Sequence, residues 1–163
     1  MAVNHDESVA ESLTELWALL HRDAPLTVHD CEIHCLTSIA LATDDDLVAY
    51  LLLRKMRIAR RVGLDDADPG AARVNSLVAF THGASEPFFC QLVHPSAVGM
   101  TPHALGIDSL LGAGLIGLGP AQAVLWPDSS GSLSELAILD VRNGAVAAGT
   151  PEMRGPAPAV ASF

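Results

Sequence analysis

Residues 107–117, I-D-S-L-L-G-A-G-L-I-G, decide the fold of this chain. Ile107 reads as the end of a strand, Asp108-Ser109 as a turn, and the apolar run from Leu110 as a short helix. Ser109 is a good N-cap, because its hydroxyl can take an unpaired amide of the first helical turn. Gly112, Gly114 and Gly117 each cost up to about 1 kcal/mol against alanine inside a helix. Such a concentration predicts a helix lying tight against a sheet, or one that Gly117 ends in a left-handed conformation.

Around this stretch the hydrophobic period is two. Val74, Leu77-Val78 and Phe80 read as a strand, His82 to Ser85 as a turn, and Phe88 to Val93 as the paired strand, closed by Pro95. A short strand over 103–107 leads into the helix and Pro120 marks the exit. Residues 123–126 and 133–141 supply two more strands, on either side of a turn at 127–131. Three strands, a helix and two strands give an α+β unit over 71–143, with a twisted, mostly antiparallel sheet and one packed helix. Residues 144–163 hold little besides Ala, Gly and Pro to bury, and disorder is expected there.

Residues 1–64 instead carry helical periods. Val9, Leu13, Leu16, Trp17 and Leu20 recur at helical spacing over 6–22, with acids early and His21-Arg22 late, as the helix dipole favours. After Pro25 a short extended piece at 26–29 precedes a helix from Asp30 to about Leu41, striped by Ile33, Leu36 and Ala40. A third helix opens at Thr43, its expected N-cap, and runs to about Val62, with Val48, Leu52, Met56 and Ala59 on one face. The second and third helices form a short antiparallel hairpin with Asp44, Asp45 and Asp46 at its tip. Arg54, Lys55, Arg57, Arg60 and Arg61 crowd the end of the third helix and read as a solvated, dipole-favoured face, with a partner surface as the alternative. Leu64 to Gly70 is a linker by composition.

The net charge of −10 argues against direct duplex binding, which rests on Lys and Arg neutralising phosphates. Thirteen of the nineteen acids and six of the nine bases lie in residues 1–72, which again separates two parts. No apolar run suffices for a membrane span and the N-terminus is polar and acidic, so neither membrane nor signal peptide is expected and the cytoplasm is the default. Three cysteines without framework spacing fit reduced thiols there.

In register across about residues 26–141, the chain resembles the regulator of nucleoside diphosphate kinase (Rnk) family, whose C-terminal domain is of the GreA/GreB type. The 109–117 segment, S-L-L-G-A-G-L-I-G, is similar to the family's S-P-L-G-x-A-L-L-G, with Leu110 for proline and Gly114 for alanine. Leu51 to Val62, Asp68-Pro69, Asn75-Ser76, Val93-His94-Pro95, Leu125-Trp126-Pro127 and Leu136 to Val141 match further family segments in order. Pro120-Ala121 stands where the family has Val-Gly, and the first helix and the tail lie outside the match. The resemblance implies an FKBP-like domain behind a helical hairpin, and RNA polymerase as partner, bound near its secondary channel. It implies docking through Asp108, Ser109, Leu110 and Gly112, while the charge pattern leaves Arg54, Arg57 and Arg61 as secondary candidates. It implies no cofactor.

The tip acids could complete the oxygen shell of a loosely held Mg²⁺, or could simply start a helix. Hairpin helices of about 12 and 18 residues reach only roughly 18 and 27 Å, less than Gre hairpins, which favours helix-start chemistry. His29, Cys31, His34 and Cys35 are potential soft-metal ligands without a second pair at the usual spacing. The expectation is therefore a non-enzymatic transcription elongation regulator without transcript-cleavage activity, a monomer or weak homodimer. Two alternatives stand beside it: a metal-binding or redox-sensing protein using Cys31 and Cys35, and a dimer, built through the first helix, that has lost polymerase binding.

Overall fold

The computed structural model describes residues 5–21, 25–63, 65–66, 70–128 and 130–144. The expected disorder of 144–163 falls, Gly144 apart, outside these residues. The chain is α+β, with a five-stranded, mostly antiparallel sheet of order β5-β4-β3-β7-β6. Its strands are β3 (Leu77–His82), β4 (Phe88–Val93), β5 (Ala104–Gly106), β6 (Ala123–Pro127) and β7 (Leu133–Arg142). Only β5 runs parallel to its neighbour, β4. The chain crosses to it through the 3₁₀ turn Pro95–Ala97 and the loop beyond. Asn75 takes a left-handed φ of 70°, a conformation Asn tolerates better than most residues. Ser76 then accepts from the Arg73 amide at 2.8 Å and donates to Asn143, whose own amide reaches the Ala71 carbonyl at 2.8 Å. The Asn-Ser pair thus stitches the first sheet strand to the end of the last.

One face of the sheet, carrying Val78, Phe80, Leu92, Val124, Trp126, Leu136 and Ile138, is buried under helix α4 (Leu110–Leu115). Helix α3 (Asp46–Ile58) packs on α4, and α2 (Ile33–Ala42) and α1 (His5–Leu20) pack on α3. One hydrophobic core includes Leu36, Val48 and Leu52 from the hairpin together with Leu92, Leu115 and Leu136. The backbone joins the same parts. Gly117, with a φ of 84°, donates to the Ala72 carbonyl at 2.8 Å and accepts from the Thr27 amide at 3.0 Å.

Four sequence expectations change here. The third helix stops at Ile58, and Arg60–Val62 form β2, paired in parallel with β1 (Thr27–His29). The N-cap of α3 is Asp45, which accepts from the Val48 amide at 3.1 Å, while Thr43 accepts only from the Asp45 amide at 3.2 Å. The hairpin is accordingly shorter, with helices of 10 and 13 residues. Finally, α1 faces the protein through Ala10, Thr14 and Ala18, each no more than 5% exposed, and leaves Val9, Leu13 and Leu16 half exposed. Small residues let two helix axes approach more closely than leucines do.

Two stability measurements follow from this packing. Ala121 holds a φ of 63° where an alanine β-carbon is strained, so Ala121→Gly should stabilise the fold by about 1 kcal/mol; an unchanged or lower Tm would contradict this. A fragment covering 71–143 exposes the α4 surface that the hairpin covers. It should still unfold cooperatively, but at a Tm well below that of the full chain, and equal Tm values would mean that the hairpin contributes nothing to the core.

Candidate functional site

The turn into α4 is built from short backbone contacts. Ser109 is its N-cap, accepting from the Gly112 amide at 3.1 Å, and its hydroxyl donates to the Gly106 carbonyl at 2.6 Å. A β-carbon at Gly112 would stand 2.1 Å from that same carbonyl oxygen, and one at Gly114 would stand 2.5 Å from the Trp126 ring. The glycines thus let α4 lie directly on the end of β5 and on β6. Gly112 is buried and gives the turn its shape. Asp108, Ser109 and Leu110 remain half exposed along one short rim, with Leu110 also packed against the core.

The C-terminal end of α4 points its carbonyls into the protein, and Lys55 meets them. Lys55 is 1% exposed, and its Nζ donates to the Gly114 oxygen at 2.5 Å and to the Ile116 oxygen at 2.7 Å. The Trp17 ring of α1 lies 5.4 Å from the same nitrogen. The sequence grouping of Lys55 with the solvated bases is therefore wrong. It follows Val48 by seven residues and so shares the buried side of α3, a spacing that could have revealed it. Burial pulls its ammonium down to about 7, against the negative end of α4 and the aromatic face, both of which favour the charge.

His21, expected as a charged helix end, is a buried pin. The Leu125 amide donates to Nε2 at 2.9 Å, leaving the proton on Nδ1 to bind the Trp17 carbonyl at 2.8 Å. Burial, and then the nearby Lys55, lower its pKa. The ring is neutral in this arrangement and ties the end of α1 to β6.

The remaining candidates are scattered. Asp44, Asp45 and Asp46 are exposed at the hairpin tip. Arg57 is exposed and Arg54 half-buried on α3, while Arg61 on β2 donates to the Met56 carbonyl at 3.3 Å and lies 3.8 Å from the Asp30 carboxylate. Cys31 is exposed and Cys35 half-buried, and burial together with Glu32 raises the Cys35 thiol pKa, which disfavours the thiolate that metals bind. Among the described residues no three His, Cys, Asp or Glu are grouped to hold a metal ion, and no helix is long and apolar enough to cross a membrane.

No family model and no curated protein matches the chain. Among solved structures it is similar to the prokaryotic transcription elongation factor GreA/GreB from Nitrosomonas europaea, at a TM-score of 0.56 and 22% identity. The match covers 73% of this chain and 98% of that one. The chain has a Gre-type fold. The transcription factor Gfh1 aligns more loosely, at a TM-score of 0.40 and 17% identity over 86% of this chain and 95% of that one. The Gfh1 protein of Thermus thermophilus aligns at 0.38 and 16%, over 86% and 96%. These two likenesses are too loose to argue from.

The buried lysine makes stability depend on pH. Folded, the ammonium loses its proton near 7; unfolded, it does so near 10.4. Between these values the unfolded chain holds more protons, so stability should rise with pH across this window, by about 1.4 kcal/mol per unit of depression. Lys55→Met should abolish that rise and, at the alkaline end, lie below the wild type, because the Gly114 and Ile116 carbonyls lose their donor. Tm measured against pH for both proteins checks this; parallel curves would show that Lys55 is not the titrating group.

Proposed function

We propose that this chain is a transcription elongation regulator that binds RNA polymerase near the secondary channel and does not stimulate transcript cleavage. The observation that carries the proposal is the Gre-type fold, which spans nearly the whole of a GreA/GreB elongation factor. Within that class the short hairpin supports an Rnk-like member over a cleavage factor. Helices of 10 and 13 residues reach roughly 15 and 20 Å, and one of the three tip acids is the N-cap of α3. The sheet with one helix on its buried face is compatible with the FKBP-like description of the Gre C-terminal domain. The net charge of −10 supports a protein partner over the nucleic acid template.

Docking is assigned to the Asp108–Leu110 rim. It is half exposed on a rigid support, because Ser109 and Gly112 fix the turn from inside. Leu110 contributes to the core, so aspartate there would also cost stability. Asp108→Arg isolates the surface, since like-charge juxtaposition at an interface can cost several kcal/mol while a half-exposed carboxylate outside the core contributes little to the fold. Affinity for core polymerase should fall by at least tenfold with Tm unchanged, and a Gre factor should compete with the wild type. Undiminished affinity in Asp108→Arg would move docking to Arg54, Arg57 and Arg61, and failure to bind polymerase at all would overturn the function proposed.

A further inference from the structure

Helices α1 and α3 flank a groove that sets apolar side chains of α1 beside an acidic end. Val9 and Leu13 line one wall of this groove, about 590 Å³ in volume, and Asp44, Asp45, Asp46 and Leu47 line the other. Val9, Leu13 and Leu16 are 46%, 47% and 52% exposed although they form one stripe. The two helices run in parallel, since Val9 and Leu13 meet the start of α3 whereas Trp17 reaches Lys55. Leu16 follows Val9, and Arg54 follows Leu47, by seven residues, which is two turns and keeps each pair on one side of its helix. The groove opens at three carboxylates, and the spacing carries its line along α3 to the half-buried Arg54.

We propose that the groove is filled by a second copy of this chain, arranged antiparallel about a twofold axis. A twofold interface places one surface on itself, so that surface must be self-complementary. Antiparallel packing lays the Val9–Leu13–Leu16 stripe on its own copy and brings Asp44–Asp46 of each chain to Arg54 of the other. A parallel arrangement would instead set acids against acids. The surface uses none of Asp108, Ser109 or Leu110, so it stands independently of the polymerase assignment, and in the dimer the tip acids are engaged between the copies.

The test is sedimentation of the full chain from low to high micromolar concentration. The expected mass rises from one chain to two. Leu13→Asp should hold the protein monomeric, with thermal unfolding equal to that of the wild type at low micromolar concentration where both are monomers, because the side chain it replaces is half exposed. The double variant Asp44→Lys/Asp46→Lys, which spares the N-cap Asp45 and makes the tip net positive, and Arg54→Glu should each weaken self-association at least tenfold. Mixed in equal amounts, these two variants should associate again, because each end of the mixed dimer then pairs opposite charges. A wild type that stays monomeric throughout, a Leu13→Asp variant that still dimerises, or a mixture no better than its components would each overturn the proposal.

Discussion

A helix end buried in a protein must find donors for its last carbonyls, and α4 finds them in one lysine. Leaving a buried carbonyl unpaired costs about 1–3 kcal/mol, and α4 offers Lys55 two, at Gly114 and Ile116. Burying an ammonium is itself costly. The cost is offset only in part, by the negative end of the helix dipole, by two oxygens that accept from the same nitrogen and by the nearby Trp17 ring, and the pKa stays depressed to about 7. Three helices from distant parts of the sequence converge on that nitrogen. Removing α3 would leave the two carbonyls without a donor, and removing α4 would leave the buried amine without its acceptors.

This convergence positions the surfaces assigned to function. α4 is clamped at its C-terminal end by Lys55 and against β6 by the contact of Gly114 with Trp126. Its N-terminal end, where Ser109 caps the first turn, therefore cannot drift, and the rim from Asp108 to Leu110 is presented in a fixed attitude. The same lysine holds α3 in place and with it the hairpin tip. Rigid support for short exposed loops is what a docking surface requires, because ordering a mobile loop on binding subtracts from affinity.

Much of this was legible from residue pattern. Phe88–Val93 and the two strands after α4 fall where alternation and Pro or Gly punctuation put them, and the glycines around Ser109 announced close packing. Other features were hidden for physical reasons. Arg60–Val62 gives no local sign of a strand, because three residues pairing with a distant segment have no period of their own. Lys55 carries a charge that points to solvent, although its spacing from Val48 places it inside. The inner side of α1 was misjudged because hydrophobicity favours Val9, Leu13 and Leu16, whereas close helix approach favours Ala10, Thr14 and Ala18. Docking through Asp108 could be reached only by resemblance, since a carboxylate ahead of an N-cap has no chemistry that marks it as a contact.

The central claim is that Lys55 makes the helical segment and the sheet one cooperative unit. Native-state hydrogen exchange tests it most directly, through the amides of Leu52 and Met56 in α3 and of Leu136 and Ile138 in β7, all four residues buried. The account predicts that both sets exchange through the same global opening, with equal opening free energies that respond together to denaturant. Exchange of the α3 amides through a separate opening of clearly lower free energy, with β7 still protected, would contradict it.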